Sequence, residues 1–96
     1  MPDIEADIDT VRAFLVKYYA VEPTDERAAI RARRHFDADP VTTTRVANAV
    51  RHVLAADLAP GTLQRLVSVA ANRDLRTDPA ARDFLSVTLT VTMPTA

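Results

Sequence analysis

The chain has no cysteine, no tryptophan and a single glycine among its 96 residues. Because it has no cysteine, disulfides, thiolate metal sites and thiol nucleophiles are excluded, and stability has to come from packing alone. A single glycine among many alanine, leucine and arginine residues favours helix on propensity grounds and provides no glycine-rich loop to cradle a phosphate. These absences predict a packed helical protein suited to a reducing cytoplasm.

Long hydrophobic runs are also missing. No run approaches the roughly 20 apolar residues that a membrane span needs, and residues 1–9 are acidic where a secretory signal would be basic. We therefore expect a cytoplasmic protein with neither export nor a membrane partner. The length allows one domain over residues 1–96, and since only five residues are aromatic, its core has to be built mainly from valine, leucine, isoleucine and alanine.

Three helix-start signals divide the chain, at residues 23–25, 39–40 and 77–79. Each combines an Asp or Thr, whose side chain caps free backbone N–H groups, with a proline, which the first turn of a helix tolerates. The apolar spacing between these signals predicts five helices, at about residues 4–19, 25–37, 40–57, 62–72 and 78–89. The expected fold class is all-α, a compact single-domain bundle of about five short helices.

Apolar residues that recur three and four positions apart predict the buried face of each helix. In chain order, the expected core positions are Ile4, Ile8, Val11, Leu15 and Tyr18, with Phe14 and Tyr19 widening this stripe; Ala29, Ala32 and Phe36; Val46, Ala49, Val50, Val53 and Leu54; Leu63, Leu66, Val67 and Ala70; and Ala80, Phe84, Val87 and Val91. A polar run at residues 72–74 predicts the end of the fourth helix, with Asn72 as its C-cap.

The last element has two readings. Residues 86–93 alternate polar and apolar side chains as a half-buried strand would, whereas Phe84, Val87 and Val91 align with Ala80 on one helical face. No other segment has a strand pattern, so a strand here would have to pair with another molecule. We favour a helix through about Leu89, with fraying beyond it.

No catalytic or metal-binding constellation is present in the sequence. His35 and His52 are the only histidines, and neither has a second ligand three or four residues away on its own helix. Paired carboxylates occur only in the first helix, where we expect them to be solvated. The sequence also has no nucleophile elbow. We therefore expect no enzyme, no catalytic residue, no metal and no cofactor.

Charge is unevenly distributed and is the main indication of a partner. Residues 1–26 hold seven acids and two bases, whereas residues 27–96 hold ten bases and six acids. Such asymmetry bears on partners and association rates rather than on fold. It predicts two alternative partner-binding faces. The first consists of Glu5, Asp9, Arg12 and Val16, and the second consists of Tyr19, Arg27, Arg31 and Arg34.

Two further functions remain open alongside protein binding. The arginines of the second helix could neutralise phosphates, and residues 46–72 could form a helix-turn-helix with Gly61 in the turn and Thr62, Gln64, Arg65 and Ser68 facing outward. Either arrangement would make the protein a small nucleic-acid-binding regulator. Alternatively, residues 87–93 could pair with a second copy, which would make the protein a homodimeric scaffold.

The order of apolar and aromatic residues resembles that of a known family. The segments that carry the likeness are Val11-x-x-Phe14-Leu15-x-x-Tyr18-Tyr19, the arginine helix, Val53-Leu54-Ala55-x-x-Leu58, Leu63-x-x-Leu66-Val67 and Ala81-Arg82-x-Phe84-Leu85. Together they resemble small bacterial immunity proteins of contact-dependent growth inhibition systems. The resemblance implies a protein that binds a cognate toxin, such as a basic nuclease domain, and blocks it by occlusion, with no turnover and no cofactor.

Overall fold

The computed structural model describes residues 3–92, and within them the chain forms five α-helices and no strand. The helices are α1 (Ile4–Tyr18), α2 (Asp25–Ala38), α3 (Pro40–Ala55), α4 (Thr62–Ala71) and α5 (Asp78–Thr92). The predicted all-α bundle is confirmed. The Cα radius of gyration is 12.3 Å, close to the value of about 12.5 Å expected for a compact chain of this length. No helix within residues 3–92 is both long enough and apolar enough to cross a bilayer.

Side chains cap the first three helices, and the caps of α2 and α3 lie at two of the predicted start signals. The Asp3 carboxylate accepts the backbone N–H groups two and three residues along, at 3.1 and 3.4 Å. Thr24 Oγ1 accepts an N–H of α2 at 3.2 Å, and Asp39 Oδ1 accepts one of α3 at 3.1 Å. Pro40 occupies the first turn of α3. The N–H groups satisfied in this way have no acceptor within their own helix.

The fourth helix begins without a capping side chain of its own. It follows Gly61, which has a left-handed backbone conformation (φ +83°). The carboxylate of Asp78 caps α4 from a distance, because Oδ2 accepts the Gly61 N–H at 2.8 Å and Oδ1 accepts the Gln64 N–H at 2.9 Å. Thr77 caps α5 instead, accepting the N–H of Ala80 at 3.2 Å. The start of α4 therefore depends on the docking of α5.

The end of the fourth helix lies where the sequence predicts it. Asn72 has a left-handed conformation (φ +55°), and its N–H points back to the carbonyls of Ser68 and Val69. Asparagine tolerates this conformation better than most residues with a side chain. The predicted C-cap at Asn72 is confirmed.

The fifth element is a helix, and it runs further than predicted. Residues 86–92 are helical, so the strand reading is wrong for them, and the expected fraying after Leu89 does not occur before Thr92. Met93, the last position of the ambiguous stretch, lies outside the described residues. A hydroxyl–carbonyl bond runs along the helix surface in the final turns, from Thr90 Oγ1 to the Ser86 carbonyl at 3.1 Å.

The buried face of α5 is not the predicted one. Its buried residues are Ala81, Leu85, Thr88 and Thr92. Val87 and Val91, which the apolar spacing places in the core, are 59% and 41% exposed. Thr92 tolerates burial because its hydroxyl donates to the carbonyl of Thr88 at 2.6 Å, which leaves no unpaired donor. A smaller shift occurs in α2, where Ala28 is fully buried in place of Ala29.

All five aromatic residues of the chain belong to one cluster. The ring of Phe14 lies 5.5, 5.8 and 5.6 Å from the rings of Tyr18, Tyr19 and Phe36, measured between centroids. Tyr19 in turn meets Phe84 edge-on at 5.4 Å. Contacts of this geometry add to the stabilisation from burial. The cluster joins α1 to both α2 and α5.

Replacing Phe14 by alanine is expected to lower the free energy of unfolding by about 3–5 kcal/mol, because the change leaves a cavity against three other rings. Urea denaturation measures this loss. Val41→Ala serves as the control, since Val41 is 82% exposed and its truncation is expected to change stability by less than about 0.5 kcal/mol. Equal losses for the two variants would contradict the central position of Phe14.

Acid is expected to destabilise the fold through two capping carboxylates. The N–H groups of Gly61 and Gln64 hold the pKa of Asp78 below its usual value, and the hydroxyl and N–H of Thr42 do the same for Asp39. A carboxylate whose pKa is lower in the folded state than in the unfolded state stabilises the fold at pH values above its unfolded-state pKa of about 3.9. This stabilisation is lost as the pH falls through the folded-state pKa. Thermal unfolding should therefore show a melting temperature that falls below about pH 4.

The variant Asp78→Asn isolates the Asp78 contribution to this acid sensitivity. Its amide oxygen still accepts one N–H but carries no charge, so we expect a lower melting temperature at neutral pH and a shallower decline in acid than in the parent protein. Parallel curves for variant and parent below pH 4 would show that Asp78 does not contribute to the acid sensitivity.

Candidate partner-binding surfaces

The first predicted face is assembled as a single surface. Its four residues line one groove of about 620 Å³ between α1 and α4. We call this groove with its rim the α1–α4 surface. The residues that line it are Glu5, Ile8, Asp9, Arg12 and Val16 from α1, and Thr62, Arg65, Leu66, Val69 and Ala70 from α4. The sequence predicts the α1 half of the surface and misses the α4 half.

Two exposed valines stand on opposite walls of the α1–α4 surface. Val16 is 49% exposed and Val69 is 79% exposed, while Leu66 lies buried beneath them and Ile8 is half-buried. Val69 was missed because the spacing of α4 identifies only its core stripe. The sequence did hold a signal: Val69 is a branched apolar residue outside that stripe, on the side of the helix where polar residues are usual.

Of the four acids in residues 3–9, Asp3, Glu5 and Asp9 are exposed, as expected, and only Asp7 is half-buried. Asp3 caps the helix, and Asp7 Oδ2 lies 3.0 Å from His52 Nδ1 on α3. Asp9 pairs with Arg12 at 2.7 Å, an exposed pair that contributes little to stability. Glu5 forms no ion pair within residues 3–92. The rim of the α1–α4 surface therefore carries charges of both signs and is not uniformly acidic.

The second predicted face comes together only in part. Arg27, Arg31 and Arg34 line a shared groove of about 600 Å³ on α2. Tyr19 does not join them, which corrects the prediction: it is 1% exposed and packs into the aromatic cluster. Burial raises the pKa of its phenol above the usual value. Of the two places predicted for Tyr19, the apolar stripe of α1 and this face, the structure shows the first.

Within the arginine groove, Arg31 acts differently from its neighbours. Its Nη1 donates to the carbonyl of Lys17 at 3.0 Å, and its guanidinium lies 5.4 Å from the centre of the Tyr18 ring and 3.8 Å from the Glu22 carboxylate. Arg31 thereby ties α2 to the end of α1. Arg27 and Arg34 are exposed and form no ion pair in the part of the chain that the structure describes.

This difference predicts two distinct outcomes of alanine substitution. Arg31→Ala is expected to destabilise the protein by about 1 kcal/mol, since it removes the contacts to the Lys17 carbonyl and the Tyr18 ring. Arg34→Ala is expected to leave stability within about 0.5 kcal/mol of the parent. Chemical denaturation of both variants provides the comparison. If Arg31→Ala left the free energy of unfolding unchanged, the contacts of Arg31 with the end of α1 would contribute nothing to stability.

The helix-turn-helix predicted at residues 46–72 does not form. Its two helices, α3 and α4, do not pack against each other; each packs against α1 and α5. The outward side of α4 is partly occupied as well, because Gln64 Nε2 and Ser68 Oγ both donate to the Leu75 carbonyl at 2.7 Å. Helices of a DNA-binding helix-turn-helix pack across their turn. Among the described residues, this leaves the arginine groove as the candidate for phosphate contact.

A third surface includes Val87 and Val91, from the segment that the sequence offers for pairing with a second copy. A groove of about 650 Å³ runs between α2 and α5, with Tyr19 and Phe84 in its lining. Its walls carry Ile30, Val87 and Val91, which are 49%, 59% and 41% exposed. We call it the α2–α5 groove. The groove itself was not predicted, because the apolar spacing places Val87 and Val91 in the core.

The potential metal ligands of residues 3–92 do not cluster, and both histidines contact neighbouring side chains. Within residues 3–92, no group of three or more histidine, aspartate or glutamate side chains is placed to hold a metal ion. Both histidines are already hydrogen-bonded, His52 to Asp7 and His35 Nδ1 to the Tyr18 hydroxyl at 3.0 Å.

Comparison with known proteins adds no homologue to this picture. No protein-family model, curated protein or solved structure matches the chain. What the protein binds is therefore inferred from the three surfaces and from the resemblance in residue order.

Proposed function

We propose that the protein is a non-enzymatic binding protein that neutralises a cognate bacterial toxin by direct occlusion in the cytoplasm, using the α1–α4 surface. One observation carries the choice of surface: Val16 and Val69 stand exposed on opposite walls of one groove, with charged side chains at its rim. An apolar centre within a polar rim is the usual anatomy of a protein–protein interface. The toxin as partner rests on the resemblance to immunity proteins.

The local charge favours a protein partner over nucleic acid at this surface. Glu5 and Asp9 on one side are balanced by Arg12 and by Arg65 from α4. A phosphate backbone needs net positive charge, and each phosphate contact would come from an additional Lys or Arg. Balanced charge instead suits a protein whose own rim carries both signs. Glu5, which forms no ion pair within residues 3–92, is then available to a Lys or Arg of the partner.

Occlusion requires more area than the groove alone offers. A stable interface buries about 800 Å² on each partner, roughly one seventh of this protein's accessible surface of 5883 Å². The contact therefore extends from the groove along the exposed flanks of α1 and α4. A toxin side chain inserted between Val16 and Val69 would anchor the contact, and the surrounding area would cover the toxin's functional site without any chemical step.

The test compares two valine variants of matched exposure. Tagged parent protein, Val69→Glu and Val41→Glu are used to capture partners from the native lysate, with and without nuclease. Val69 and Val41 are 79% and 82% exposed, so neither change should unfold the protein. We expect one polypeptide to be retained after nuclease treatment by the parent and by Val41→Glu, and its affinity for Val69→Glu to fall at least about tenfold.

A growth assay then separates neutralisation from mere binding. Expression of the captured polypeptide alone should arrest growth, and co-expression of the parent protein, but not of Val69→Glu, should relieve the arrest. Glu5→Lys should weaken binding if the partner's facing side chain is basic. Captured nucleic acid that disappears with nuclease or moderate salt would contradict the proposal and favour a regulator that binds through Arg27 and Arg34.

A further inference from the structure

Helix α5 exposes its most apolar stripe and buries a more polar one. Ala80, Phe84, Val87 and Val91 follow one another at spacings of four, three and four residues, the spacing of a helix-packing seam. Yet Val87 and Val91 are 59% and 41% exposed, while Thr88 and Thr92, one position further round, are 2% and 1% exposed. Ala80 and Phe84 are half-buried, so among residues 3–92 no helix covers the seam at its Val87 and Val91 end.

Helix α2 forms the other wall of this exposed seam. Ile30 is 49% exposed and faces the α2–α5 groove beside Ala29. With Phe84, Val87 and Val91 it forms the apolar lining of a groove of about 650 Å³. The seam on α5 spans twelve residues, whose eleven steps of 1.5 Å cover roughly 17 Å of helix. A groove of this length fits a helix of about three turns better than a small molecule.

Four charged residues line the groove: Asp25, which pairs with Arg73, and Glu26, Arg33 and Asp83. Of these, Glu26 and Arg33 are placed to complement each other in a second copy of the same surface. Both are exposed and form no ion pair within residues 3–92. They lie seven residues apart, which places them on the same side of α2 and about 10.5 Å apart along its axis. Ile30 lies between them. When two copies of α2 run antiparallel, the Glu26 end of one meets the Arg33 end of the other.

We propose that the α2–α5 groove is a homodimer interface, in which a two-fold axis crosses the groove so that α2 meets α2 and α5 meets α5 in antiparallel pairs. Glu26 of each copy then faces the partner's Arg33, and the exposed apolar seams of the two α5 helices cover each other. A two-fold interface has to be self-complementary in this way. No residue lines both this groove and the α1–α4 surface, so the dimer would present two α1–α4 surfaces.

Sedimentation equilibrium of the purified protein tests for the dimer. Protein concentrations up to about 100 μM allow micromolar dissociation constants to be measured. We expect the mass to rise from monomer to dimer with concentration. Val87→Glu and Ile30→Glu should each weaken dimerisation at least about tenfold, because both place a carboxylate in the apolar seam. Val69→Glu and Val41→Glu, on other faces, should leave dimerisation unchanged. Circular dichroism checks that all four variants stay helical.

A charge-reversal series tests the antiparallel arrangement. Glu26→Arg and Arg33→Glu each bring like charges together twice in the dimer, so each alone should weaken dimerisation roughly three- to tenfold. The double variant Glu26→Arg/Arg33→Glu restores opposite charges across the axis, and its dissociation constant should return close to that of the parent.

Three results would overturn the proposal. They are a monomer mass at every concentration, a dimer that tolerates both Val87→Glu and Ile30→Glu, and a double charge variant that dimerises no better than the weaker single variant. None of these results depends on the toxin-binding function, because that function is read from partner capture with Val69→Glu. Each proposal can therefore fail while the other stands.

Discussion

The packing of five aromatic rings is the constraint on which the rest of the fold depends. The protein has no tryptophan, and all five of its aromatic rings pack together between α1, α2 and α5, with Phe14 in contact with three of the others. Through Tyr19, the same cluster reaches Phe84 and so sets how α5 lies against α2. The alanine-rich faces of α2 and α3 then pack closely around it, since small side chains allow helix axes to approach.

The rotation of α5 explains why a groove remains. Two stripes of α5, offset by one residue, have the same spacing, and apolarity alone selects the stripe containing Val87 and Val91. The structure buries the stripe containing Leu85, Thr88 and Thr92 instead. Burial of a threonine is inexpensive when its hydroxyl bonds to the carbonyl four residues back, as Thr92 does. Phe84 consequently meets Tyr19 at the edge of the core, and the valines are left at the surface.

The sequence was informative where the determinants are local. Capping by Thr24 and Asp39 and termination at Asn72 involve residues within one turn of each other, so the helix boundaries follow from the pattern. Two features depend instead on contacts between distant parts of the chain: which side of α5 is buried, and the cap that Asp78 provides to α4. The spacing of residues within one helix cannot predict such contacts. The same limit applies to the candidate sites: the α1 half of the α1–α4 surface was predicted, and its α4 half was not.

Long-range polar ties also connect the two proposed surfaces. Arg73, just after α4, donates to the Asp25 carboxylate at 2.7 Å and to the Glu22 carbonyl at 3.3 Å, which holds the end of α4 against the start of α2. Asp78 holds the start of α4 against α5. Short helix α4 is therefore fixed at both ends to the helices that form the α2–α5 groove. A partner at the α1–α4 surface would meet side chains on a frame that is already ordered, so little conformational entropy would be lost on binding.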